Sequence, residues 1–160
     1  MFLAAGADVL VYRLSSRQVV DTVRIRREDG DLGSANGWMK GTTFFDRDGP
    51  SIVAFEIGRG RLTPDGAKWR ATPPPGQTYV GYTLEKDSLV ALRSDSSFNA
   101  HEGRPVNPMF VEIDLETGKT IREFQPLWEP YQSQFRVVDN RLYVFTEDGL
   151  AYAMQLGGGR

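Results

Sequence analysis

The sequence predicts an all-β fold built from repeated antiparallel hairpins, on three observations. No stretch of about eleven residues carries apolar positions at i, i+3, i+4 and i+7 without an interrupting Gly or Pro, so helical periodicity is nearly absent. Short runs rich in β-branched and aromatic residues, bounded by Gly, Asp, Asn or Ser, recur along the whole chain. Two of these passages also share one pattern, DVLVYRLSSRQVVDTV from Asp8 to Val23 and PMFVEIDLETGKTIREF from Pro108 to Phe124. A shift of 101 positions lays Tyr12 on Ile113, Leu14 on Leu115, Val20 on Ile121 and Val23 on Phe124, with Ser15-Ser16-Arg17 over the turn Glu116-Thr117-Gly118. Self-similarity of this kind decides architecture before local propensities do.

The elements follow in order. Met1 to Ala4, Val9 to Leu14 and Val19 to Ile25 read as strands, the last two joined across Ser15-Ser16-Arg17. Thr42 to Phe45 and Ile52 to Ile57 flank Asp48-Gly49, a pair that tolerates the positive φ angles of a tight turn. Gly58 to Gln77, with Gly-Arg-Gly-Arg and Pro73-Pro74-Pro75, breaks the rhythm and reads as a loop. Strands resume at Tyr79 to Tyr82 and Leu89 to Leu92, and Ser94 to Pro108 forms a second long polar loop. Met109 to Ile113 and Thr120 to Phe124 make the second copy of the repeated hairpin. Phe135 to Val138, Leu142 to Thr146 and Leu150 to Met154 close the series, and Asp148-Gly149 between the last two is the cleanest hairpin turn. That is about a dozen strands.

At 160 residues the chain has the length of one domain, taken as residues 1–160. Hydrophobic residues make up 40% and charged residues 25%, with net charge -2, so nothing in the balance calls for a nucleic-acid partner. Cys is absent, which excludes disulfides, thiolate metal sites and cysteine nucleophiles and leaves the compartment undetermined. The apolar start, Met1 to Ala5, has no basic leader and meets Asp8 at once, so no secretory signal is written there. No window approaches the roughly 18 apolar residues of a spanning helix.

Ile113-Asp114-Leu115-Glu116-Thr117-Gly118-Lys119 resembles the blade motif of quinoprotein-type and related β-propellers, with Asp114, Thr117 and Gly118 at the motif positions. Asp and Thr side chains there bond the turn backbone, and Gly takes a left-handed position between the two outer strands of a blade. Val138 to Phe145 and Gly149 to Met154 are similar to the two inner strands of a following blade. Arg122 stands where the motif has Trp, Glu112 where it has a small residue, and Arg13 where the N-terminal copy would need Asp. The resemblance implies a β-propeller-like fold of about three and a half to four antiparallel blades, since each blade takes about 40 to 45 residues. The start, FLAAGADVLVYRL, lays on VFTEDGLAYAMQL, as though it began at a blade's second strand. The expectation is an incomplete propeller with unpaired strand edges, at Met1 to Leu14 and Leu142 to Met154, that invite pairing with another chain.

No catalytic set assembles. His101, the only histidine, lies in a loop with Asp95 and Glu102, yet no nucleophile elbow accompanies it and no further metal ligands can be placed, so it reads as a solvated loop residue. Asp46-Arg47-Asp48-Gly49 resembles the opening of a calcium loop, but its Gly comes fourth instead of sixth and a hairpin turn explains it. Arg24, Arg26 and Arg27 alternate with Val23 and Ile25 but meet Glu28, Asp29 and Asp31, which makes a solvated strand face. Gly58-Arg59-Gly60-Arg61 lacks the ending of a phosphate-binding loop. Trp38, Trp69 and Trp128 with Tyr79, Tyr82 and Tyr131 could stack on sugars or pack against a partner protein, although aromatics in a β domain usually fill the core or the space between blades; Pro126 and Pro130 place Trp128 and Tyr131 in a loop and make them the best candidates. Trp128, Tyr131, His101 and Arg104 are therefore the binding candidates, with no catalytic residue, metal or cofactor assigned. The function expected is a non-catalytic binding or scaffold subunit that meets a protein partner or a second copy through open strand edges. The alternatives are a fragment of a propeller enzyme, quinoprotein-like or a hydrolase, and a β-barrel or sandwich that binds a small molecule or glycan.

Overall fold

The structure is a computed structural model that describes residues 2–5, 8–13, 18–24, 37–56, 66–97, 104–126, 135–145 and 151–156. Fourteen strands stand among them: β1 (Phe2–Ala5), β2 (Asp8–Arg13), β3 (Gln18–Arg24), β4 (Trp38–Lys40), β5 (Thr43–Asp48), β6 (Ser51–Glu56) and β7 (Ala67–Ala71), then β8 (Gln77–Leu84), β9 (Ser88–Asp95), β10 (Met109–Asp114), β11 (Thr120–Phe124), β12 (Phe135–Val138), β13 (Arg141–Phe145) and β14 (Ala151–Gln155). They pair only with sequence neighbours, in four sheets of order β1-β2-β3, β4-β5-β6-β7, β11-β10-β9-β8 and β12-β13-β14. Serial meanders of three or four strands are the blade organisation of a propeller, and among the described residues no strand pairing joins one sheet to another. Chain contacts divide the protein into two compact units, residues 1–70 and 71–160.

In the first unit, β2 and β3 pair Val9 with Val23, Leu10 with Thr22 and Val11 with Asp21, then shift at a bulge to Tyr12 with Val19. In β5 and β6, consecutive residues Phe44 and Phe45, and Ile52 through Phe55, are all buried, so these strands are covered on both faces. Phe45 meets Trp69 of β7 at a ring separation of 5.7 Å. Gly49, at φ 56°, turns the chain between Asp48 and Ser51, which makes Asp46-Arg47-Asp48-Gly49 the end of a hairpin, and Arg70 donates to Asp48 Oδ2 at 2.5 Å.

The second unit repeats the hairpin. β10 and β11 pair Phe110 with Phe124, Val111 with Glu123 and Glu112 with Arg122, then shift to Ile113 with Thr120. Every pair, and the bulge, stands 101 positions from its counterpart in β2 and β3. The shift by 142 that lays the start of the chain on β13 and β14 holds strand for strand but misses the register by one. It would set Phe145 opposite Tyr152, whereas Phe145 pairs with Ala151. Val80, Val90, Leu92 and Phe110 of the four-stranded sheet pack with Phe135, Val137, Leu142 and Val144 of the last sheet and with Leu156 in one core cluster. Phe110 is its hub, edge-on to Phe135 at 5.2 Å and stacked on Phe124 at 5.6 Å. Each such buried side chain contributes about 1.5 to 3 kcal/mol by leaving water.

Two strands lie where none was expected. β4 is only three residues long, and β7 falls inside Gly58 to Gln77. Its text Ala67-Lys68-Trp69-Arg70-Ala71 has period-two alternation, with Trp69 and Ala71 buried and Lys68 exposed, and the flanking glycines and prolines obscured it.

Candidate functional site

The binding candidates divide. Trp128, Tyr131 and His101 lie outside the described residues, and Arg104 stands exposed at the base of the loop between β9 and β10. That loop is closed by its own polar groups. The Val106 N–H donates to the buried hydroxyl of Ser94 at 2.8 Å, the Asp95 N–H donates to the Val106 carbonyl at 2.9 Å, and the Asn107 amide donates to Asp95 Oδ2 at 2.6 Å. Asp95 thus serves to fasten the loop. Among the described residues, no group of three or more His, Asp or Glu side chains stands together as a metal site.

The blade turn forms as its residue types dictate. Asp114 Oδ1 accepts from the Thr117 N–H at 2.8 Å, the Thr117 hydroxyl at 2.7 Å and the Glu116 N–H at 3.1 Å. Gly118 sits at φ 70° and donates its N–H to the Asp114 carbonyl at 2.9 Å. These contacts order the step from β10 to β11, an edge strand of that sheet.

The last sheet offers something different. Asp139 and Asn140, at φ 50° and 58°, form the two-residue turn that pairs Val138 with Arg141. Leu142 and Val144 point into the core cluster, so alternation places Val138, Tyr143 and Phe145 on the opposite face, where Val138 is 52% and Phe145 39% exposed. Beyond β13 lies β14, and among the described residues no strand stands on its outer side.

The orientation of β14 follows from one bond. The Leu156 N–H donates to the Asn140 carbonyl at 2.9 Å, one step beyond the pairing of Arg141 with Gln155. Backbone groups alternate direction along an antiparallel strand, so Tyr152 and Met154 direct theirs to β13, and Ala151, Ala153 and Gln155 direct theirs to the outer edge. Edge strands are ordinarily guarded by charge or proline. β11 carries Arg122 and Glu123, whereas β14 reads Ala-Tyr-Ala-Met-Gln without either guard. Sequence reading named the Leu142 to Met154 region as an edge but not these residues; the missing charge was the available signal.

No protein-family model and no curated protein matches the chain. Solved structures do. The crystal structure of the computationally designed Ika4 protein aligns over 98% of this chain and 86% of its own, with a TM-score of 0.56 and 13% identity. That of BamB from Moraxella catarrhalis, a propeller protein, aligns over 97% of this chain and 46% of its own, with a TM-score of 0.52 and 12% identity. The fold is β-propeller-like. Identity this low makes the likeness one of fold alone, and the chain spans less than half the length of BamB. No helix among the described residues is long and apolar enough to cross a membrane.

Proposed function

We propose that residues 1–160 act as one non-catalytic binding or scaffold domain, an incomplete propeller that docks on a partner protein through an open strand edge within a larger assembly. The observation that carries this reading is β14, an uncharged strand that, among the described residues, stands at the edge of a three-stranded sheet, beside a core whose other blade in the same unit has four strands. Strand addition supplies main-chain hydrogen bonds to such an edge, and side chains on alternate faces supply specificity. BamB belongs to the same fold and supports the reading at that level only.

A photo-crosslinking residue placed at Gln155, and separately at Ile121 on charged β11, tests this in the cells from which the protein comes. The expected result is a covalent protein adduct from position 155 and none from 121. Absence of any protein adduct at 155, or equal adducts from both positions, would overturn the reading.

A further inference from the structure

The outer edge of β14 carries information about its occupant, because the strand is complementary to itself. The antiparallel register that pairs all five residues with a second β14 places a two-fold axis at Ala153. In that register Ala153 faces its own counterpart, Ala151 faces Gln155 and Tyr152 faces Met154. Ala151, Ala153 and Gln155 are the residues whose N–H and C=O groups point outward, so each meets a residue of the same class and the ladder is satisfied on both sides. A register displaced by one residue would set outward groups against inward ones.

The side chains agree with the backbone. Tyr152 and Met154 pair with Val144 and Leu142 across β13 and so share the core face, where Met154 already packs against the cluster. Across the axis, Met154 of one copy would lie beside Tyr152 of the other, an apolar and sulfur-to-ring contact that extends the core strip through both sheets. On the other face the pairs involve only Ala and Gln. No charge opposes a like charge anywhere along the strand, and a chain with net charge -2 carries little general repulsion against its own copy. The same self-pairing by β11 would set Arg122 and Glu123 at an edge already engaged by ion pairs to Glu112 and Arg93.

We infer that β14 pairs antiparallel with β14 of a second copy of this chain about a two-fold axis at Ala153, making a continuous six-stranded sheet across the dimer. The inference rests on the edge-docking reading above and names its partner.

Sedimentation equilibrium of the full chain over a wide concentration range tests it, with Ala153→Lys, Ala153→Glu and Ala153→Pro. The wild type is expected to move from 17.9 kDa toward twice that mass as concentration rises. Lys or Glu at the axis faces its own charge, so either variant alone is expected to associate at least about tenfold more weakly, and an equimolar mixture of the two to recover the dimer. Ala153→Pro removes an outward N–H without touching the bonds to β13, so it is expected to remain a monomer with unchanged circular dichroism. A wild type that stays monomeric overturns the inference, as does undiminished dimerisation of the Lys and Glu variants. A monomeric wild type whose position 155 crosslinks to a different protein refutes the second copy and leaves edge docking standing; a monomer without adducts refutes both.

Discussion

Arg93 on β9 and Glu123 on β11 are joined by a two-pronged ion pair that passes over the intervening strand β10, Nη1 to Oε1 at 2.7 Å and Nη2 to Oε2 at 2.8 Å. The guanidinium is 7% exposed as a residue, whereas the carboxylate lies near the surface. Removing the acid therefore leaves a buried cation without its partner. Glu123→Ala is expected to lower stability by about 1 to 2 kcal/mol in urea unfolding, reduced from the value for a fully buried pair by the solvent at Glu123. A loss below about 0.3 kcal/mol would show that water replaces the carboxylate.

The same pair sets a pH dependence. Hydrogen bonds from the Arg93 guanidinium hold the Glu123 carboxyl below its ordinary range, against an opposing effect of burial and with help from the Arg93 charge. A depressed folded-state value means that the folded protein binds fewer protons than the unfolded chain in mild acid. The stabilisation is present above the unfolded value of about 4.3 and is lost as pH falls through the lower folded value. Urea titrations at neutral and acid pH are expected to show a smaller acid loss in Glu123→Gln than in the wild type. Equal losses would place the acid sensitivity elsewhere.

The turn from β10 to β11 depends on Asp114 and Gly118. Asp114→Ala deletes an acceptor shared by two backbone N–H groups and a hydroxyl, and in this exposed turn about 1 kcal/mol is expected to be lost. Gly118→Ala forces a Cβ into left-handed backbone at φ 70°, at a cost of about 1 to 2 kcal/mol. Thermal unfolding of both variants measures this. An unchanged midpoint in Gly118→Ala would mean that the turn relaxes to another conformation.

Phe110 ties two sheets of the second unit together, with no exposed surface and ring contacts to both Phe124 and Phe135. Phe110→Ala is expected to cost about 3 to 5 kcal/mol, because neighbouring strands held by their ladders cannot close the cavity. Phe110→Leu, which retains most of the volume, is expected to cost clearly less. Chemical denaturation of the two side by side separates lost packing from a general intolerance of substitution.

Residues 1–160 taken as one domain are expected to unfold in a single cooperative transition, with coincident far-ultraviolet and tryptophan signals. Two transitions would instead divide the chain near the boundary between Arg70 and Ala71.

Much of the fold was legible because strand formation here depends on local text. The apolar, β-rich runs Val9 to Leu14 and Met109 to Ile113, and the polar residues between the paired runs, anticipated two hairpins whose registers agree pair by pair with their bulges. β4 and β7 were not legible. Trp38-Met39-Lys40 is too short to show a period, and the alternation of Ala67 to Ala71 is hidden between glycines and prolines, so that its place shows only in the ladder with β6 and the contact of Trp69 with Phe45. The candidate site was legible in part. Leu142 to Met154 was identified as an edge region, but which of its backbone groups face outward depended on the bond from Leu156 to Asn140.

By itself the sequence determined the class of the fold, the repeated hairpin, and the blade turn in which Asp114, Thr117 and Gly118 act on their own backbone. Those features rest on interactions between residues a few positions apart, and side-chain chemistry settles them wherever the chain goes. Only the tertiary structure decided that Arg93 reaches Glu123 across β10, that Asp95 fastens a loop, and that β14, a strand without charge, stands last in its sheet among the described residues. Each of these depends on which strands lie side by side and on which partner removes a group from water, and distant residues set that together.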